Sequence, residues 1–220
     1  MRVVDLSQPV VEHFRYRASL ERTSDVARGD LATASRLCLG THAYTHVDAP
    51  SHMIEGAPTL DQVPLDRFWG EAEVADLSGV PDATAITAAD LERALPGLRE
   101  GDVALLRTSL ELRADWRSQE FWDRSPWLER SAAAWLVERR VRAVGYDFPQ
   151  DRPIRNLAGG GVTLADMPVH DLHLRAGITQ VEYLRNLHLL DGRRGLFFAL
   201  PLSLPGADGS PCRAFALLED

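Results

Sequence analysis

Three of the seven histidines fall within eleven residues, in the segment His42-Ala-Tyr-Thr-His46-Val-Asp48-Ala-Pro50-Ser-His52. Imidazole nitrogens and carboxylate oxygens are the usual protein ligands of zinc, manganese and iron, and a hydrolytic metal also needs an open position for water. An isolated His and Asp pair is more often a simple hydrogen-bonded pair. The density of candidate ligands in this segment favours a metal site instead.

The spacing restricts how the backbone can bring these side chains together. A straight strand advances about 3.3 Å per residue, which would place His42 and His52 about 33 Å apart. One helical turn would put His42 and His46 on one face, and Pro50 disfavours helix in the residue before it, so that His46 and Asp48 can share a side. We therefore predict a turn of helix that runs into a tight bend. His52, beyond the proline, is placed to act as a general acid or base.

A second group of candidate ligands lies about 120 residues further along the chain, at His170, Asp171, His173 and Glu182. Glu182 lies in the apolar stretch 178–184, where a buried carboxylate is costly unless it is paired or bound to a cation. This favours Glu182 as a ligand, although an exposed strand position is an equally weighted alternative. Asp171 and His173 are predicted to face away from the site.

The composition excludes several other kinds of chemistry. The 220 residues carry a formal charge of −8, and all 24 cationic residues are arginine. Without lysine, Schiff-base catalysis, pyridoxal-phosphate attachment and a phosphate-loop lysine are excluded. The acidic balance and the lack of a basic stripe argue against a nucleic-acid partner.

The elements that must position these residues alternate between strand and helix. Strands are predicted at 2–6, 73–77, 102–107, 141–146, 196–200 and 213–217. Helices are predicted from 87 to before Pro96, at 131–140 and at 163–176. Such alternation indicates an α/β layered fold, and no linker-like stretch divides residues 1–220 into two domains.

The cysteines and the apolar runs favour a cytoplasmic location. Cys38 and Cys212 are far apart in hydrophobic neighbourhoods, which predicts reduced core residues. The longest apolar run, 196–200, is much too short to span a bilayer, and the N-terminus does not look like a signal peptide. We therefore expect no membrane partner.

The segment HAYTHVDAPSH resembles the signature HxGTHxDxPxH of the metal-dependent cyclase-type hydrolases, which include bacterial kynurenine formamidase (arylformamidase), isatin hydrolase and some polyketide cyclases. Other parts agree with this family in the same order. These are the opening 4–9, the helix 134–138 that leads into 144–147, His170 followed twelve residues later by Glu182, and the C-terminal stretches 199–202 and 206–213.

The resemblance implies a single domain of the swivelling β/β/α type that assembles as dimers or tetramers. It also implies a site with one or two divalent ions, zinc or manganese. One ion would be held by His42, His46 and Asp48. A second ion would be bound by His170, with Asp48 and Glu182 bridging to it. The catalytic acid/base would be His52.

Two departures from the family pattern concern the substrate pocket. Tyr44 stands where the signature usually has glycine, and it either narrows the pocket, contacts the substrate, or packs outward. The N-terminal tryptophan expected of kynurenine formamidases is replaced in the stretch 12–16, where Phe14 and Tyr16 are the candidates to line an aromatic pocket.

These observations predict metal-assisted hydrolysis of a small amide, formamide, lactam or ester, with an aromatic or cyclic substrate. Two alternatives stay open. The same ligands would serve a polyketide-type cyclase or dehydratase, and a metal-binding or small-molecule-binding protein without turnover is possible in principle.

Overall fold

A mixed β-barrel with helices against one side forms the frame of the protein in the computed structural model, which describes residues 1–192 and 194–219. Eight strands belong to this sheet, namely β1 (Arg2–Asp5), β4 (His46–Asp48), β5 (Trp69–Asp76), β7 (Val103–Arg107), β9 (Ala143–Tyr146), β10 (Thr179–Glu182), β11 (Gly195–Pro201) and β12 (Gly209–Leu218). Within the described residues, seven of them close the barrel in the order β12-β11-β5-β7-β9-β10-β4, and β4 pairs again with β12. Strand β1 adds to the barrel beside β12.

The centre of the barrel is parallel, and its crossovers carry the helices. Strands β5, β7, β9 and β10 pair in parallel. The connections contain α1 (Ala88–Ala94), α2 (Gln119–Arg124), α3 (Arg130–Glu138) and α4 (Pro168–Arg175), with two short strands, β6 (Ala85–Ile86) and β8 (Trp127–Leu128), that pair with each other. Parallel neighbours require such long crossovers. The α/β class and the swivelling β/β/α architecture expected from the sequence are confirmed.

Two apolar layers hold this frame together. The barrel interior contains buried side chains such as Val47, Leu105 and Phe197. The second layer lies between the sheet and α1, α3 and α4, where Leu91 and Leu136 are fully buried. Strands buried on both faces have continuous apolar sequences, which is why β7 and β9 were easy to predict.

The predicted helix at 163–176 is divided in the structure. A short 3₁₀ turn covers Leu164–Asp166, and α4 begins only at Pro168. Met167 between them has φ −115° and ψ 69°, because the proline ring keeps the preceding residue out of the helical region. The proline then occupies the first helical position, where its missing N–H costs nothing.

A hairpin that was not predicted stands apart from the barrel. Strands β2 (Ala18–Ser24) and β3 (Ala34–Leu39) pair only with each other among the described strands, and nearly all of their residues are exposed. Leu20 and Leu37 face each other across it with 72% and 57% of their surface exposed. The prediction that Cys38 is a core residue is wrong, since Cys38 lies exposed on β3, whereas Cys212 is partly buried. Among the described residues, no helix has the length and apolar character needed to cross a membrane.

Candidate metal centre

Strand pairing between β4 and β10 builds the middle of the site. Residues i and i+2 of a strand share a face, so His46 and Asp48 project to one side while Val47 enters the barrel core. In the antiparallel register, His46 lies opposite Glu182 and Asp48 lies opposite Gln180. All of these side chains are buried. The expectation that His46 and Asp48 share a side is confirmed.

His42 reaches the site from a turn and not from a helix. The predicted helical turn over 42–46 is wrong, because the chain forms a turn and bend through 41–45 and then enters β4 directly. His42 Nδ1 lies 2.8 Å from Asp48 Oδ1, and its Nε2 lies 3.0 Å from Asp208 Oδ2. Gly209 makes room for this ring, since a Cβ at that position would lie 2.6 Å from His42 Cε1.

His170 enters from the first turn of α4 and is held by a buried carboxylate. Its Nδ1–H donates to Asp151 Oδ2 at 2.6 Å. Asp151 also accepts the backbone N–H groups of Val169 and His170, at 3.0 and 3.1 Å, which ties the carboxylate to the start of the helix. With Nδ1 occupied, Nε2 of His170 faces Glu182 Oε1 at 3.2 Å and Asp48 Oδ2 at 3.6 Å.

His46 is oriented in the same way by a backbone carbonyl. Its Nδ1–H donates to the carbonyl of Tyr44 at 2.8 Å, so Nε2 carries the lone pair. That Nε2 lies 3.3 Å from Asp48 Oδ1 and 3.6 Å from Glu182 Oε2, yet no described atom completes a hydrogen bond to it. Asp48 Oδ2 is buried without a hydrogen-bond partner as well.

Two imidazole lone pairs and two carboxylates therefore converge, an arrangement that is repulsive unless a cation or protons lie between them. Buried polar atoms without partners cost about 1–3 kcal/mol each, and more when charged. Candidate ligand atoms of His46, Asp48 and Glu182 all lie within 4.8 Å of one another, and so do those of His42, Asp48 and His52. The donor set and its orphaned atoms fit a divalent cation.

The pKa shifts in the protein without metal show the same excess of negative charge. Burial opposes protonation of His42, but the Asp48 carboxylate outweighs it and raises the pKa of His42 to about 9. For His170, burial is again overcome, here by the Asp151 and Glu182 carboxylates, and its pKa rises to about 10. Protons thus occupy the place for which a metal ion would compete.

His52 lies beside the proposed ligands with a different electrostatic character. It ends the short 3₁₀ turn Pro50–His52, and its ring stacks on His42 with 3.7 Å between ring centroids. Its ring centroid is 5.8 Å from that of His170. Burial lowers the pKa of His52, with the charges of His42 and His170 acting in the same direction, so the ring is a neutral base at pH 7.

A cavity of about 120 Å³ opens onto these side chains. Tyr16 lines it, as predicted for a substrate-pocket residue. Phe14 and Tyr44 do not. They line a separate groove of about 890 Å³ that also touches Tyr16. The remaining lining residues of the small cavity include Arg15, Met53, Ile154, Met167 and Tyr183.

Tyr44, at the position where the signature that this segment resembles has glycine, adopts a backbone conformation that favours glycine. It has φ +58°, in the left-handed region that glycine adopts at little cost. Its ring is buried against Tyr16 and His13, and its hydroxyl donates to the carbonyl of Val11. These contacts compensate for the backbone conformation, and they direct the phenol away from the candidate ligands.

Several residues of the site were not predicted. Asp151 orients His170, and Asp208 approaches His42. Gln150 Nε2 donates to Glu182 Oε1. Tyr183 covers His46, with 5.4 Å between ring centroids. The sequence did contain a signal for Asp151, because an acid in a Phe-Pro-Gln-Asp segment directly after a buried strand is at the usual position of functional side chains in parallel sheets.

Comparison with known proteins gives consistent matches over most of the chain. The family model described as putative cyclase matches residues 4–150. The chain is 29% identical to the kynurenine formamidase of Bacillus mycoides (strain KBAB4), over 96% of this chain and 95% of that protein. It is 32% identical to the kynurenine formamidase of Bordetella petrii, over 82% of this chain and 78% of that protein. The solved structure of isatin hydrolase A from Ralstonia solanacearum matches with a TM-score of 0.83 at 26% identity, over 99% of this chain and 92% of that chain.

Proposed function

Because the chain belongs to the putative cyclase family, we propose that it is a metal-dependent hydrolase of the carbon–nitrogen bond in a small amide, formamide or lactam. The relatives are named for a formamide and for isatin, which supports this substrate class. The observation that carries the proposal is the convergence of the His46 and His170 lone pairs on the buried carboxylates of Asp48 and Glu182. We propose that the whole chain serves this site as one domain.

In this proposal, five side chains are the ligands, namely His42, His46, Asp48, His170 and Glu182. Asp48 and Glu182 each have one oxygen facing each imidazole, which supports a bridging role and leaves room for one ion or two. Mixed nitrogen and oxygen ligands suit zinc or manganese. A divalent cation held here supplies Lewis acidity and makes water nucleophilic at neutral pH.

The chain's own residues then handle protons and exclude solvent. His52, neutral because burial lowers its pKa, accepts the proton of the attacking water and delivers it to the leaving nitrogen. Asp151 and the Tyr44 carbonyl keep the Nε2 lone pairs of His170 and His46 directed inward throughout the cycle. Tyr16 and Tyr183 supply aromatic walls against which a planar substrate packs.

Two variants separate the proposed roles of ligand and acid/base. His52→Ala is expected to lower turnover about 10²- to 10⁴-fold while the protein retains its metal. His46→Ala is expected to lose both the metal and the activity. The assay combines elemental analysis with hydrolysis of formanilides, isatin and other aryl lactams by protein loaded with zinc or manganese. Equal metal loss in both variants would contradict the acid/base role of His52, and a metal-loaded protein that cleaves none of these substrates would contradict the proposed function.

We further propose that the protein is a homodimer or homotetramer that functions in the cytoplasm. The hairpin β2–β3 exposes Leu20 and Leu37 to solvent in a single chain, which favours burial against another copy. The unpaired thiol of Cys38 on the same hairpin suits a reducing compartment. Light scattering on the purified protein tests the assembly, and a monomer at micromolar concentration would contradict it.

A further inference from the structure

One arginine lies among the residues that line the metal cavity and takes no part in the proposed chemistry. Arg15 is half-buried, and its NH1 group donates to the carbonyl of Ile154 at 2.8 Å. Its guanidinium carbon lies 4.6 Å from the centroid of the Trp122 ring. These two contacts fix the side chain, so the guanidinium is held in place before any ligand arrives.

Arg15 has no carboxylate within 4 Å in the part of the chain that the structure describes. The charges that act on the neighbouring Tyr16 are those of Glu182, Asp48 and Arg15. A divalent cation balances the two carboxylates, which leaves Arg15 as the uncompensated charge on this side of the cavity. An unpaired guanidinium in a partly buried cavity attracts an anion more strongly than one at the surface.

Tyr16 supplies a second donor next to this arginine. Its hydroxyl is buried, the hydroxyl of Tyr183 donates toward it, and no described atom accepts the Tyr16 O–H. Burial keeps the pKa of Tyr16 well above its usual range, so the phenol stays protonated and can donate. The ring is fixed by stacking on His13, with 4.5 Å between centroids.

From this geometry we propose that Arg15 and Tyr16 bind a carboxylate of the substrate, so that the hydrolase prefers aryl amides that carry an anionic group. This inference rests on the proposed function and narrows its substrate class. Guanidinium and phenol donors together match the two oxygens of a carboxylate.

The dimensions of the cavity agree with this arrangement. A cavity of about 150 Å³ holds a benzene molecule, so one of about 120 Å³ with an open mouth holds roughly one aromatic ring. Tyr183 lies between the two ends, with its ring centroid 5.9 Å from Tyr16 and 5.4 Å from His46. A single ring on Tyr183 can therefore present its carboxylate to Arg15 and its amide to the metal ligands.

Binding measured by calorimetry tests the anion site without requiring turnover. The probes are 4-aminobenzoate and its neutral analogue 4-aminobenzamide, titrated into zinc-loaded protein, because para substituents lie at opposite ends of the ring. Wild type is expected to prefer the carboxylate, and Arg15→Gln is expected to weaken its binding about 10- to 100-fold, as for a lost charged hydrogen bond. The neutral analogue should change less than about threefold.

Two further variants serve as controls. Arg17→Gln removes the same charge two residues away, from an exposed side chain outside the metal cavity, and should leave both affinities unchanged. Tyr16→Phe should weaken the binding of 4-aminobenzoate but keep the ring packing. If Arg15→Gln reduces the folded fraction, Arg15→Lys replaces it. This variant should retain part of the preference for the carboxylate probe, since lysine keeps the charge but lacks the paired N–H donors of the guanidinium.

The outcomes distinguish this inference from the proposed function. Loss of carboxylate binding in Arg15→Gln supports the anion site even if wild type cleaves no formanilide. Failure of wild type to cleave formanilide would refute only the proposed hydrolase function. Unchanged carboxylate binding in Arg15→Gln, or a wild type that prefers the neutral probe, overturns the anion site even if formanilides are cleaved. When cleavage occurs, N-formyl-4-aminobenzoate should show a higher KM in Arg15→Gln, with formanilide unaffected.

Discussion

Replacing Asp151 by asparagine should weaken metal binding although Asp151 is not among the proposed ligands. Asp151 is fully buried, and its only described side-chain partner is the Nδ1–H of His170, at 2.6 Å. The carboxylate makes the imidazole a better electron donor and holds its Nε2 toward Asp48 and Glu182. Outer carboxylates of this kind contribute about 10- to 100-fold to metal affinity, which corresponds to about 1.4–2.8 kcal/mol.

Asparagine keeps the size of the side chain and one acceptor oxygen. Its amide NH₂ group, however, is a donor, so when the remaining oxygen serves His170 nothing accepts the Val169 N–H that Asp151 Oδ1 accepts. We expect a further loss of about 1 kcal/mol in the free energy of unfolding from that hydrogen bond. Metal affinity must therefore be measured directly, by competition with a chromophoric chelator under conditions in which both proteins are folded.

Asp171→Asn is the matched control for this prediction. Asp171 lies on the same helix and pairs with Arg175 near the surface, so the change in charge is equal but does not reach His170 Nδ1. Its metal affinity should stay within about twofold of wild type. The reasoning is refuted if Asp151→Asn binds metal as tightly as wild type, or if Asp171→Asn loses as much affinity.

Two further predictions concern the packing around the site and the pH dependence of stability. Gly209→Ala places a Cβ 2.6 Å from His42 Cε1 and 2.8 Å from the carbonyl oxygen of Val47, so it should displace the His42 ring or strand β4 and lower metal affinity. Gly79→Ala, with open space around it, should leave metal affinity unchanged. Equal affinities of the two variants in the chelator assay would contradict this prediction. Burial lowers the pKa of His173 from 6.5 to about 4. As the pH falls, the unfolded chain therefore binds a proton at this residue before the folded chain does. The free energy of unfolding should decrease by up to about 3 kcal/mol between pH 6.5 and pH 4 because of this residue. Urea unfolding of metal-free protein should show a smaller loss over that window in His173→Gln, and identical pH profiles would refute the assignment.

The sequence predicted the parts of the fold whose signals are local. Strands β7 and β9 are short apolar runs, and the helix at Ala88–Ala94 begins with the capping box that Thr87 and Asp90 form. The hairpin β2–β3 was missed because its exposed strands mix charged and apolar residues without a clear alternation. The break at Met167 was missed because the capping signal at Thr163 was extended through Pro168.

The candidate ligands could be predicted as residues, but their geometry could not. The density of His and Asp at 42–52 and the isolated Glu182 indicated candidate ligands, and the structure brings them together. The backbone geometry differs from the prediction, because His42 lies in a turn and the approach of Glu182 depends on pairing between β4 and β10. Such long-range pairing has no local sequence signal. The position of Asp151 after a buried strand indicates a functional residue, but nothing local indicates its contact with His170.

Anomalous diffraction from crystals of the protein purified with zinc or manganese tests the central claim most directly. One or two peaks are predicted between Asp48 and Glu182, each about 2.0–2.2 Å from carboxylate oxygens and from the Nε2 atom of His46, of His170 or of both. Protein crystallised at saturating metal with no peak at this position, or with Asp48 and Glu182 joined to the histidines by hydrogen bonds alone, would contradict the account.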